Sequence, residues 1–281
     1  MTSPTVLVTG CATGIGNETA RAFAERDWTV YATDPDEDAL EDLARAGCET
    51  ATLDVREGDD ASRVVERIED EQGRLDCLVN NAGYGQVGPV EEIPTDQVEA
   101  QFQVNFFGQH RLLRAVLPVM REQGYGRLIN VSSVYGRTVF PGQGIYAASK
   151  YAVEAMSDTL RAEVGAFDID VVLIEPGPVE TNFGERAQAQ LAELEPTGAY
   201  EWIHDLYDPD VFGRRFVDRG PGYVQPEEVA TAIVEAAYAR APADRIPVGP
   251  WKYRLWLEEI TPAPVRDRLN RLVRHVPSSL A

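Results

Sequence analysis

Lysine is almost missing from this chain: Lys150 and Lys252 are the only two, against 24 arginines. Positive charge as a whole is scarce, with 26 basic residues opposing 46 acidic ones for a net charge of −20. A surface this acidic repels phosphate backbones and anionic headgroups, so nucleic acid is set aside as a partner. Scattered acidity with arginine in place of lysine suits a solvated surface in high salt, and fits nucleotide bias equally well. Cysteine is sparse too. Cys11, Cys48 and Cys77 are odd in number and lack metal-type spacing, so they form no disulfide framework or metal site and are read as small packing residues. No apolar run is long enough to cross a bilayer. The amino terminus enters Val6-Leu7-Val8 without a charged leader, so no secretory signal is expected and a cytoplasmic protein follows. Gly/Ser linkers, proline-rich stretches, repeats and low-complexity tracts are missing as well. One domain over residues 1–281 is therefore expected.

What is present is alternation. Short apolar, β-branched runs at 5–9, 29–33, 49–53, 77–80, 127–132, 170–175 and 245–248 read as strands, nearly continuous in apolar character as strands covered on both faces are. Between them, residues 15–27, 36–46, 59–72, 95–123, 145–167 and 226–240 carry apolar side chains at helical spacing. This order predicts an α/β doubly wound Rossmann fold, a parallel sheet of about seven strands with helices on both faces. Pro118 lies inside the 95–123 pattern, where a kink or break is expected. Residues 180–225, rich in Gly, Asp and aromatics, read as a substrate loop or lid, and 250–281 as a helical extension. In such sheets ligands lie beyond the carboxyl ends of the strands.

At the end of the first strand stands Thr9-Gly10-Cys11-Ala12-Thr13-Gly14-Ile15-Gly16, opening a helix. Gly10 allows the tight turn, Gly14 the approach of backbone N–H groups to a pyrophosphate, and Gly16 close packing of helix on strand. Gly10, Thr13, Gly14, Ile15 and Gly16 are thus candidate dinucleotide contacts. Asp34 ends the second strand, where a carboxylate accepts hydrogen bonds from ribose hydroxyls. Its alternative role is to cap the next helix, with Pro35 in the first position. Neither Pro35 nor Thr13 supplies a charge for a 2′-phosphate, which favours NAD(H) over NADP(H).

Tyr146 and Lys150 stand four residues apart, one turn on the same helical face. An ammonium beside a phenol favours the phenolate, so such a tyrosine exchanges protons nearer neutral pH. A surface helix can also carry this pair for no chemical reason.

The ordered set of the glycine turn, Asn80-Asn81-Ala82-Gly83, Asn105, Ser133, Tyr146-x-x-x-Lys150 and Pro176-Gly177-Pro178-Val179-Glu180-Thr181 resembles the short-chain dehydrogenase/reductase family, over residues 5 to about 181. The resemblance implies a catalytic set of Asn105, Ser133, Tyr146 and Lys150. In it Tyr146 exchanges a proton with the substrate oxygen, and Lys150 lowers its pKa and binds the nicotinamide ribose. Ser133 holds the same oxygen, and Asn105 positions a water in a proton relay through Lys150. It further implies that Asp54 and Val55 meet the adenine. Asn81, Ala82 and Gly83 flank the adenosine, and Pro176, Gly177, Val179 and Thr181 frame the nicotinamide.

Taken singly, these residues have plainer readings: Ser132 and Ser133 as a strand end, Asn105 as a polar helix neighbour, Asn80 and Asn81 as turn formers. The function expected is hydride transfer between a nicotinamide cofactor and a secondary alcohol or its ketone. A bulky hydrophobic substrate is suggested by Phe183, Tyr200, Trp202, Tyr207, Phe212, Phe216 and Tyr223, although aromatics this frequent are more often core. His204 reads as a surface residue. The carboxyl end loosely resembles steroid- and retinol-dehydrogenase-like members. Two other readings stay open, a sugar-nucleotide epimerase or dehydratase of the extended branch and a nicotinamide-binding redox sensor without catalysis. Family resemblance further implies a homodimer or homotetramer.

Overall fold

The computed structural model describes residues 3–181, 183–207, 223–251, 253, 255, 257 and 261–273. Seven parallel strands form one sheet: β1 (Thr5–Thr9), β2 (Thr29–Asp34), β3 (Glu49–Thr52), β4 (Cys77–Asn80), β5 (Gly126–Val131), β6 (Ile169–Pro176) and β7 (Arg245–Val248). They are ordered β3-β2-β1-β4-β5-β6-β7. Every strand lies within one residue, at either end, of the run that predicts it. This is the expected doubly wound α/β sheet. The chain winds outward from β1 in one direction and from β4 in the other, so a crevice opens between the carboxyl ends of these two strands.

Alternate residues of β1 explain why the run has no polar face. Val6 and Val8 point into one apolar layer with Phe23, Leu43, Val229 and Ile233. Leu7 points into the other with Val64, Ile68, Leu112, Val116 and Leu160. The side-chain period of two thus divides one strand between two cores. The helices supplying them are α1 (Gly14–Ala24), α2 (Glu41–Arg45), α3 (Gly58–Gln72), α5 (Gln109–Gln123), α6 (Gly144–Val164) and α9 (Pro226–Tyr238), with α4 (Thr95–Phe102) before α5. All three cysteines are buried and free, as packing residues should be.

Three details differ from the periodicity. The 95–123 helix is not broken at Pro118, which lies inside α5 on an exposed face where water can serve the carbonyl that proline leaves unpaired. The irregularity is a π turn at Gln103–Gly108 instead. There Gly108 lies so close to Val55 that a Cβ would come within 2.8 Å of it. Secondly, the described residues of the 180–225 segment include two helices, α7 (Phe183–Ala192) and α8 (Glu201–Leu206). Thirdly, within the expected carboxyl-terminal helix, α10 (Ala263–Val273) starts just after Pro262, whose ring disfavours helical backbone at the preceding residue.

A third apolar cluster lies over the sheet end. Val87 and Ile93 pack there with Ala187, Leu191, Leu194, Ile203, Leu206 and Tyr207, and Phe140, Ile145, Tyr200 and Trp202 close its edge. Among the described residues no helix is long and apolar enough to cross a membrane.

Candidate active site

The glycine turn and the end of β4 are tied into one unit. Asn81 Nδ2 donates to Thr9 O at 2.9 Å and to Gly10 O at 3.1 Å. Thr9 Oγ1 accepts from the backbone N–H groups of Asn81 and Ala82, both at 3.1 Å. Gly10, at φ +73, faces the Ala82 backbone at 2.9 Å from where its Cβ would be, and a Cβ on Gly16 would lie 2.0 Å from Gly10 O. A side chain at either position is therefore excluded. Gly14 faces the Thr181 side chain, which brings the loop after β6 against the first turn of α1. Asn81 is thus a structural tie across the crevice, a function that its turn-forming reading does not capture.

Helix α1 begins at this crevice with Thr13 as its extended N-cap, with no side-chain cap and no acidic residue in its first turn. In a chain of 46 acidic residues that is an uncompensated helix N-terminus, and it fits a pyrophosphate. Asp34 sits at the end of β2, where its Oδ2 accepts from Ala12 N at 3.1 Å and its Oδ1 from Asp36 N at 3.2 Å. It shapes the glycine turn rather than capping a helix. Asp54 is held by Arg56, whose guanidinium keeps its carboxyl below the ordinary range. The Val55 side chain is buried in the core against Gly108.

Three strands converge on the second half of the site. Tyr146, Lys150, Val153 and Ser157 form the buried face of α6, with Leu160 and Val164 continuing it. Lys150 Nζ donates to Val131 O at the end of β5 at 2.9 Å, and lies 5.9 Å from the centre of the Tyr146 ring. Ser133 follows two residues later, its Oγ accepting from Tyr135 N at 3.2 Å and donating to Pro176 O at 3.4 Å. Asn105, fully buried in the π turn, donates to Tyr84 O at 2.9 Å and Ser149 Oγ at 3.0 Å, and accepts from Tyr84 N at 3.1 Å. Between it and Lys150 stands Gly83, where a Cβ would lie 3.2 Å from Asn105 Oδ1 and 3.7 Å from Lys150 Nζ. Gly177 packs against Trp251, and Val179 bridges to Val224.

The electrostatics differ from the simple expectation of a lysine lowering a phenol. Burial pushes the Tyr146 phenol up to about 12, with the Ser133 hydrogen bond acting downward and Tyr135 upward. Burial also lowers Lys150 to about 8, opposed by the Glu154 carboxylate. Desolvation outweighs the pairing at both groups.

Several participants escaped the sequence reading. Tyr135 packs edge-on to Tyr146, with ring centroids 6.1 Å apart, and its phenol also bears on Tyr207 and Tyr223. Its position two residues after Ser133 was the available signal. His204 is not a plain surface residue: its Nε2 lies 2.7 Å from the buried Glu92 carboxylate. Tyr200, Trp202 and Tyr207 belong to the cluster over the sheet end. Phe212 and Phe216 lie outside the described residues.

This arrangement of sheet, glycine turn and phenol-lysine pair is accompanied by a direct family match. The family model described as short chain dehydrogenase matches residues 4–192. The chain belongs to the short-chain dehydrogenases and is an oxidoreductase of that family. It is 43% identical over 183 residues to the uncharacterized oxidoreductase YbbO of Escherichia coli, an alignment spanning 63% of this chain and 66% of that protein. It is 36% identical over 252 residues to human retinol dehydrogenase 8, covering 85% and 79% respectively. A short-chain dehydrogenase structure from Streptomyces avermitilis superposes with a TM-score of 0.80 at 34% identity, covering 97% of this chain and 96% of that one. Solved neighbours include one from Burkholderia phymatum in complex with NAD, at 27% identity, TM-score 0.77 and 92% and 93% coverage. Another is a serine dehydrogenase complexed with NADP+, at 26% identity, TM-score 0.76 and 88% and 95% coverage.

Proposed function

We propose that the protein interconverts a bulky, hydrophobic secondary alcohol and its ketone with a nicotinamide dinucleotide, preferring NAD(H), and that Tyr146 is the acid and base. The observation that carries this reading is the buried juxtaposition of Tyr146, Lys150 and Ser133 at the sheet end that also bears the uncapped glycine turn. When bound, the dinucleotide supplies or accepts the hydride. The first turn of α1, Gly10 to Gly16, holds its pyrophosphate. Asp34 accepts from the adenosine ribose and repels a 2′-phosphate. Lys150 holds the second ribose. Asn81, Ala82, Gly83, Asp54 and the backbone at Val55 flank the adenosine side, while Pro176, Gly177, Val179 and Thr181 frame the nicotinamide side.

Ser133 and Tyr146 share the substrate oxygen. In ketone reduction Tyr146 Oη donates its proton to that oxygen, and in alcohol oxidation it takes the proton back. Because burial, with Tyr135 adding and Ser133 opposing, holds the phenol up at about 12, oxidation near neutral pH requires positive charge beside it, a part we assign to the Lys150 ammonium. Asn105 holds the π turn against α6 through Ser149 and keeps the Gly83 loop close to Lys150. The apolar cluster over the sheet end, together with Tyr135 and Tyr223, supplies a wall for an apolar substrate. Likeness to a retinol dehydrogenase supports that substrate class.

Tyr146→Phe should lower turnover of alcohols and ketones by about 10²- to 10⁴-fold while dinucleotide binding, read by fluorescence titration, is retained. Turnover at the parent rate would remove Tyr146 from the mechanism. Steady-state kinetics with the two dinucleotides should give a higher kcat/KM with NAD than with NADP, and a preference for NADP would overturn the role given to Asp34.

A further inference from the structure

Behind Lys150 lies a second layer of buried charge. Glu154, one turn further along α6 and on the same buried face as Lys150, is 5% exposed. Its carboxylate acts to raise the pKa of the Lys150 ammonium, while burial pushes its own carboxyl up and Ser132 and Arg245 oppose that rise. Its Oε2 accepts from Arg245 Nε on β7 at 3.0 Å, and Arg245 Nη2 donates to Asp158 at 2.6 Å. Glu175, fully buried near the end of β6, lies 3.2 Å from Arg137 and 3.4 Å from Arg245. On its other side, Glu154 Oε1 and Ser132 Oγ close on Gly136, where a Cβ would meet them at 3.1 and 2.6 Å. The elements packed here thus contribute Glu154, Asp158, Glu175, Arg137, Arg161, Arg245 and Lys150, with the phenols of Tyr135 and Tyr146 beyond. Three carboxyl groups face the guanidiniums of Arg137 and Arg245, and Arg161 holds the exposed Asp158 at 2.8 Å. Buried ion clusters of this kind are poor stabilisers compared with apolar packing. Their value here lies in what they do to Lys150.

We propose that Glu154 is a positioning residue for the reaction: its buried carboxylate, held by Arg245, keeps Lys150 protonated and so sets the pH range in which Tyr146 exchanges the substrate proton. The proposal rests on the assignment of Tyr146 and Lys150 to proton transfer. Without that carboxylate, Lys150 would be a buried ammonium facing the Val131 carbonyl, and desolvation would favour the neutral amine. A neutral amine does not favour the phenolate, so alcohol oxidation would move to higher pH.

The scarcity of lysine makes a direct test simple. In protein carrying K252R and labelled with ¹⁵N at lysine Nζ, Lys150 gives the only lysine side-chain signal. Its titration midpoint should fall by about one pH unit in E154Q and return towards the parent value in E154D. The acid limb of kcat/KM for alcohol oxidation should rise in E154Q by a similar amount, about a tenfold loss of rate on that limb. If E154Q does not fold, E154M, which keeps a similar volume without the charge and leaves Arg245 paired with Asp158 and Glu175, carries the same expectation. An unmoved Lys150 midpoint, even with lower activity or Tm, would overturn the proposal by reducing Glu154 to a structural role. A moved midpoint in a parent protein that turns over no alcohol or ketone would instead overturn the hydride-transfer reading, leaving the coupling of Glu154 to Lys150 established.

Discussion

Glu175 is fully buried beside Arg137 and Arg245, yet these two do not offset the cost of desolvating its charge. Burial pushes it up to about 7, the neighbouring Glu154 adds to the rise, and Arg137 and Arg245 only partly oppose them. Because its folded-state value lies above its unfolded one, the folded state holds a proton between about 4.5 and 7 that the unfolded chain has released. Stability from this group is therefore greatest below that window and falls as pH rises through it. Glu175→Gln, which keeps the shape of the protonated acid, should remove most of this slope. Denaturation at pH 5 and pH 8 should show the variant gaining on the parent at the higher pH, with each kcal/mol worth roughly 2–4 °C in Tm for a chain near this size. An equal difference at the two pH values would show that Glu175 does not titrate in that window.

Among elements, the segment carrying α7 and α8 depends on polar clasps as well as on its apolar underside. Glu92, in the loop after β4, accepts from Thr197 N at 2.8 Å and Thr197 Oγ1 at 2.7 Å, and pairs with His204 at 2.7 Å. Burial would push the Glu92 carboxyl up, yet these partners hold it below the ordinary range. On the other side, Tyr207 donates to Pro141 O at 2.8 Å. Glu92→Ala leaves several donors unserved, at about 1–3 kcal/mol for each buried one. The expected result is faster cleavage of residues 183–207 in limited proteolysis and a higher KM for bulky substrates, with kcat changed less. Unchanged proteolysis would show that the apolar cluster alone holds the segment.

For the molecule as a whole, the charge of −20 is the dominant electrostatic fact. Self-repulsion on this scale opposes the compact state, and salt screens it over a Debye length of about 10 Å at 0.1 M. Thermal unfolding should therefore move to higher temperature as monovalent salt is raised from tens of millimolar to molar, by several degrees at roughly 2–4 °C per kcal/mol. A Tm that is flat or falling with salt would mean that the local ion pairs already compensate the excess. Pairs such as Arg67–Glu71 and Arg45–Glu41 spread that compensation over the surface.

The linear chain determined the sheet almost completely. Strands buried on both faces must be apolar along almost their whole length, and that pattern needs no knowledge of neighbours, so β1, β2, β4, β5 and β6 could be read within one residue. The partly buried edge strands β3 and β7 were read from their β-branched residues and their place in the alternation. The glycine turn, Ser133 and the four-residue spacing of Tyr146 and Lys150 were readable for a similar reason, since backbone conformation and helical phase are local. Tertiary structure decided everything set by contacts between distant segments. Gly108 packs against Val55 at a π turn where periodicity offered only Pro118, and Glu92 pairs with a half-buried His204. Most of all, closure of the sheet brought Glu154, Glu175, Arg137 and Arg245 together behind Lys150. Burial there, rather than the phenol's nearest cation, dominates the pKa values of both Tyr146 and Lys150, because desolvation depends on the whole surrounding fold while spacing depends only on the chain.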